Sequence, residues 1–148
     1  MIKLSVAQDY SKRTGLRYSA MFEYSGEDFY HACLNAKFLE AYLANDILEL
    51  SFDGTDDGCG PSCIDESIGN LVYDFTLEVV EAHLKVISND MPMWIDMIEK
   101  ETYPDWEKRR QEKRPPKITE AHEAWTRLIN DKLEKSVWIS EITPVEEL

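Results

Sequence analysis

No run of apolar residues in this chain approaches the roughly 20 that a membrane-spanning helix needs, and no apolar leader opens it. The chain therefore reads as soluble and cytoplasmic, with no membrane partner. Cysteine is scarce and odd in number, with Cys33, Cys59 and Cys63 the full set. In an intracellular chain these thiols are expected to be reduced. Cys59 and Cys63 have three residues between them, where the dithiol redox motif has two, and there is no second pair to complete a zinc site. Cys63 is expected in the core and Cys59 as a small turn residue. Phosphate-binding loops are missing as well. Gly54 and Gly58 are not followed by Gly-Lys, and Gly58-Cys59-Gly60 runs into Pro61-Ser62 instead of completing a dinucleotide fingerprint. His31, His83 and His122 are scattered, and His122-Glu123 lacks the second histidine of a zinc protease helix. No cofactor and no metal is expected. Positive charge is the last shortage: 16 Lys and Arg face 29 Asp and Glu, for a net charge of -13. Phosphate-rich partners attract clustered Lys and Arg, so direct nucleic-acid binding is excluded. The acidity suits solubility, a basic protein partner, or imitation of nucleic-acid charge.

Apolar residues are ample, at 43% of the chain, which rules out disorder and supports one packed core. Ile2, Leu4 and Val6 alternate as in a strand, Ser11 to Gly15 reads as a turn, and a second strand is expected within Leu16–Tyr24. Ser25 opens a helix, with Asp28 in its first turn and Phe29, Ala32, Cys33, Ala36, Leu39 and Leu43 as its apolar stripe. Ile47–Phe52 is the clearest strand, with Leu48, Leu50 and Phe52 on one face and Glu49 and Ser51 on a wetter one. Ile64, Ile68, Leu71, Val72 and Phe75 form a second helical stripe, and Gly69 within it implies close approach of the helix to the sheet. A short helix over 76–82 and a strand over 84–88 follow. Asn89-Asp90-Met91-Pro92 reads as a capped helix start, Pro104 as an interruption, and Pro115-Pro116 as a break. Beyond it Thr119 is expected to start a helix carrying Ala121, Trp125, Leu128, Ile129 and Leu133, and Val137–Ile142 to form a last strand. The division implied is a core over 1–103 and a mainly helical C-terminal appendage over 104–148. Trp125 and Trp138 would dock that appendage on the core, a second copy or a partner.

The segment from Asp53 to Leu71 concentrates the residues that bear on function. A strand runs into it, a glycine-rich turn crosses it and a helix begins inside it, the place where α/β proteins present helix N-terminal amides. Asp53, Asp56 and Asp57 lack the spacing of a calcium loop, so turn formation is their expected role. A catalytic carboxylate pair built on Asp53, Asp57, Asp65 and Glu66 would need a cleft that the sequence does not display. Ser62 sits at the helix start with two readings, a cap or a phosphorylation switch, the latter opposed by Asp56, Asp57, Asp65 and Glu66 around it.

Three blocks in order, Tyr24-Ser25-Gly26-Glu27-Asp28-Phe29, Leu50-Ser51-Phe52-Asp53-Gly54 and Gly58-Cys59-Gly60-Pro61-Ser62-Cys63-Ile64-Asp65-Glu66-Ser67-Ile68-Gly69-Asn70-Leu71-Val72, resemble the STAS-like domains of unknown function, small bacterial and phage-associated domains. The likeness covers roughly residues 1–100. It implies an α/β (α+β) fold, a mixed sheet with helices packed against it. In STAS domains proper the same strand-to-helix turn binds an anti-sigma factor kinase and is released by serine phosphorylation. Ser62 matches the second serine of the family's Ser-Ser pair, while Pro61 replaces the first, Cys59 an aromatic, Cys63 a Phe and Asn70 a Gly. The resemblance thus implies a non-enzymatic regulatory module. Its expected contact residues are Asp53, Asp57, Gly58, Gly60, Ser62, Asp65 and Glu66, and its expected partner is a histidine-kinase-type ATPase or another basic protein; a homodimer is also allowed. The alternative is a small acidic inhibitor or nucleic-acid mimic, in a phage or defence setting, acting through distributed carboxylates.

Overall fold

The computed structural model describes residues 1–55, 59–136 and 142–147. Asp56, Asp57 and Gly58 of the turn, and most of the expected strand over 137–142, lie outside the described residues. Three parallel strands form the sheet in the order β1 (Ile2–Ser5), β2 (Leu48–Ser51), β3 (Leu84–Ile87). Leu48 pairs with Ile2 on one side and Leu84 on the other. Helices make both crossovers, as parallel pairing requires. Leu48, Leu50 and Phe52 are buried while Glu49 and Ser51 are half-buried, so the central strand keeps the expected wetter face.

The first crossover is a helix of α1 (Gly26–Phe29), a π turn (Tyr30–Leu34) and α2 (Asn35–Leu43). Ser25 caps it as expected, its Oγ accepting from the Asp28 amide at 3.0 Å. The expected stripe is out of phase. Ala32, Ala36 and Leu43 are exposed, and Tyr30, Leu34, Phe38 and Ala41 are buried instead. A π turn inserts one extra residue, which rotates everything after it by a fraction of a turn. The expected second strand within Leu16–Tyr24 is not formed either: one bridge, Leu16 to Ser25, is all that pairs there. Helix α3 (Pro61–Phe75) leads the second crossover and α4 (Leu77–His83) follows. Its predicted stripe is buried throughout, together with Glu66, Ser67, Asn70 and Asp74, so α3 is covered on nearly every side.

Helix α5 (Met93–Met97) passes through a π turn (Ile98–Thr102) into α6 (Tyr103–Gln111). The Asx residues before it do not cap it, because their side chains reach to the Asp53–Gly54 turn. Pro104 does not interrupt it, because it lies in the first turn of α6, just where the preceding π turn reorganises the hydrogen-bond ladder. Gly69 makes room for Trp106 on this helix, not for the sheet: a β-carbon there would lie 2.1 Å from the indole. The expected helix from Thr119 is replaced by an antiparallel hairpin, β4 (Trp125–Ile129) and β5 (Lys132–Ser136). Its two turn residues, Asn130 and Asp131, have φ of 51° and 65°, the left-handed pair of a tight hairpin turn. Strand β4 packs on α2 and α3, so the C-terminal part docks on the core.

Candidate functional site

The strand-to-helix turn is pinned at both ends. At its start, Asp53 accepts from the Asp90 amide at 2.8 Å and from Asn89 Nδ2 at 3.0 Å, and Gly54 N–H donates to Asp90 Oδ2 at 2.9 Å. Two aspartates thus satisfy each other's turns, which is the turn-forming role expected of Asp53. Gly54 has a φ of 87°, a backbone that needs glycine. At the far end Cys59 and Cys63 form a disulfide, both sulfurs fully buried. This corrects the expectation of reduced thiols. One turn of chain places the two sulfurs side by side, with their Cα atoms 5.5 Å apart, within ordinary disulfide reach.

Gly60 is the N-cap of α3 and Pro61 its first residue, so Ser62 falls inside the helix and does not cap it. Its hydroxyl is half-buried and makes no hydrogen bond among the described residues. About one helical turn on, Asp65 accepts from Arg17 Nη1 at 2.7 Å and Glu66 from the same nitrogen at 3.2 Å. Asp65 is half-buried, whereas Glu66 is 1% exposed and also bonded to Asn70 Nδ2 at 2.9 Å. Burial pushes the Glu66 carboxyl up to about 7, against the pull of Arg17, Arg109 and Asn70. Asp53, Gly60, Ser62 and Asp65 are therefore the partly exposed members of the expected contact set, and Glu66 supports them from beneath. Gly26 packs against this same helix start, where a β-carbon would lie 2.6 Å from the Cys63 carbonyl.

Two buried polar clusters escaped the sequence reading. Glu27, 1% exposed, accepts from Ser19 N–H at 3.1 Å, Thr119 N–H at 3.0 Å and Thr119 Oγ1 at 2.6 Å, and its Oε2 lies 2.6 Å from His122 Nε2. Burial raises this carboxyl, but the bonds from His122, Thr119 and Ser19 outweigh it and hold it below its usual range. His31 stacks on His122 with ring centres 4.1 Å apart. Burial and the neighbouring His122 bring His31 down to about 3, so it is neutral. The second cluster centres on Asp74, which accepts from Tyr30 at 2.6 Å and Arg127 at 2.8 Å. Burial raises it to about 6 despite Arg127. Asn35 completes the set, exchanging hydrogen bonds with the Thr126 backbone. Both clusters tie residues 119–127 to the first and third helices. The one available signal was Glu27 within Ser25-Gly26-Glu27, a charge in a position that the resemblance singles out.

Among the described residues no group of three or more His, Cys, Asp or Glu side chains converges as a metal site would need. No helix among them is long and apolar enough to cross a membrane.

Residues 25–94, within the α/β core, match the family model of the STAS-like domain of unknown function. The match spans the capped helix start, the turn and α3 together. No curated protein and no solved structure matches the chain significantly.

Proposed function

We propose that this chain is a STAS-like, non-enzymatic regulatory module that docks a protein partner on its strand-to-helix turn, residues 53–66. The observation that carries the reading is Ser62. Its hydroxyl, in the first turn of α3, has no partner among the described residues, and the described chain around it is held by the Asp53–Asp90 exchange, the Cys59–Cys63 disulfide and the Arg17 ion pairs. Contact residues held in this way bind without a large ordering cost. Ser62 is also the candidate switch. A phosphate there would meet the free amides of the helix start but also the Asp65 carboxylate, so modification would reshape the first turn of α3 and with it the docking face. The resemblance points to a kinase-type ATPase as partner, and the net charge of -13 favours a basic contact face.

The acidic-mimic reading needs arrays of free carboxylates. Several are instead spent internally: Asp28 on Tyr10, Asp46 on the N-terminal amine, Asp53 on the Asp90 turn.

The test compares the wild-type chain with Ser62→Arg and, as a distant control, the exposed Glu134→Lys. Each is used to capture proteins from the native host, with quantitative mass spectrometry. One protein should be retained by wild type and Glu134→Lys and lost at least tenfold on Ser62→Arg. Equal recovery on Ser62→Arg would overturn the docking reading. Stepwise loss with each carboxylate removed, steep in salt, would favour the mimic.

A further inference from the structure

A groove of about 620 Å³ separates the edge strand β3 from the continuous α5–α6 helix. Leu84, Val86, Ile95 and Ile98 line it with apolar surface, and Glu81 and Glu99 line it with charge. The hydrogen-bonding register shows what the strand offers. Phe52 N–H donates to Ile87 O at 2.9 Å, so Ile87 and Lys85 face β2, and by alternation Leu84 and Val86 direct their backbone groups outward. Leu84 N–H is taken by the carbonyl of Val80 at the end of α4. The Val86 N–H and C=O and the Leu84 C=O have no partner among the described residues. An edge of this kind is a template for a further strand.

The side chains specify what that strand would carry. Glu81 and Glu99 are exposed, and neither has an ion pair or hydrogen bond among the described residues. Lys100, beside Glu99, is already paired with Asp96 at 2.9 Å. Burial raises the pKa of the Tyr103 hydroxyl, and Glu81 and Glu99 add to that rise. Two negative charges thus line an apolar groove beside the Tyr103 phenol, and Lys85 is the cation in that lining. A second copy of this chain fits poorly, since each copy has a net charge of -13.

We infer that the groove takes an extended segment of a partner protein, which pairs with the outer edge of β3 and carries a Lys or Arg next to apolar residues. Main-chain bonds to Leu84 and Val86 would supply affinity, the apolar lining would select alternate side chains, and Glu81 with Glu99 would select the cation. The site is separate from the 53–66 turn.

The experiment pans a display library of random peptides against the full-length chain. The best enriched peptide is then synthesised and its affinity measured by fluorescence anisotropy. Enriched peptides should place Lys or Arg beside β-branched residues. The Glu81→Lys, Glu99→Lys double variant, altered only at exposed positions and checked by circular dichroism, should bind at least tenfold more weakly. Ser62→Arg should bind as wild type, which separates this site from the turn. The Val86 amide should shift on titration in 15N spectra. Three outcomes would each overturn the inference: no enrichment, enriched peptides without a cation, or binding that the double variant does not weaken. Concentration-dependent dimerisation that shifts Val86 with no peptide present would reassign the edge to a second copy and also overturn it.

Discussion

Single side chains in this molecule act against their usual tendencies, and the conflicts give the sharpest tests. An alanine at Gly69 should favour helix by about 1 kcal/mol on propensity. Its β-carbon would however overlap the Trp106 indole, which is 1% exposed and has Arg109 over its ring at 3.9 Å. Overpacking of this kind costs roughly 1–3 kcal/mol. Gly69→Ala should therefore lower the urea midpoint, and a raised midpoint would show that Trp106 moves aside freely. Glu66 gives a pH test. Its carboxyl rises from 4.5 in an exposed setting to about 7 when folded. Between those values the folded state holds more protons than the unfolded one, so stability falls as pH rises through that window. Asp74, raised from 3.8 to about 6, acts in the same direction. Urea unfolding at pH 5 and pH 8 should show wild type losing more stability than Glu66→Gln across the interval. Parallel profiles would mean that Glu66 is ionised throughout.

At the scale of elements, the hairpin is the feature most open to local change. Asp131 occupies a left-handed conformation that costs a non-glycine residue about 1–2 kcal/mol, less for Asp than for most. Asp131→Gly should raise the thermal midpoint, while Asp131→Val should lower it; calorimetry of the two variants decides. Why this hairpin is hard to read from sequence is instructive. Trp125, Leu128, Ile129 and Leu133 lie at spacings that suit one face of a helix, and only the Asn130-Asp131 pair distinguishes the two structures. The elements that were legible, Ile47–Phe52, α3, α4 and β3, have periodicities that no irregular turn disturbs. The phase of the first helix was not legible, because the π turn over Tyr30–Leu34 depends on tertiary packing. The turn at residues 53–66 could be located from its glycines and acids. That Asp53 answers Asn89 and Asp90, or that Arg17 spans Asp65 and Glu66, could not, since these partners are 36 to 49 residues apart in the chain.

The whole molecule is bound together by contacts that leave the family-matched segment. Glu27 is satisfied by Thr119 and His122, Asp74 by Arg127, and Gly69 by Trp106. Glu27, Asp74 and Gly69 lie within residues 25–94, and all of these partners lie beyond. Stripping one partner from a buried ion pair costs about 3–5 kcal/mol, against a total stability of about 5–15 kcal/mol for a domain. A chain ending at residue 112 loses Thr119 and His122 from Glu27 and Arg127 from Asp74. It should give collapsed, poorly dispersed 15N spectra, where the full chain gives dispersed ones. A well-dispersed spectrum from the short chain would show that the first 112 residues fold independently.

The Cys59–Cys63 bond has one further consequence. Its two sulfurs are sealed in the core while the Cys33 thiol is only half-buried, so the three cysteines divide into a hidden pair and a lone, more reachable one. The condition of the turn is thereby recorded in the mass of the intact chain, lighter when closed by the hydrogens its thiols have given up. A spectrometer can weigh, in a crude extract and without any label, what fraction of the molecules carries a fastened turn.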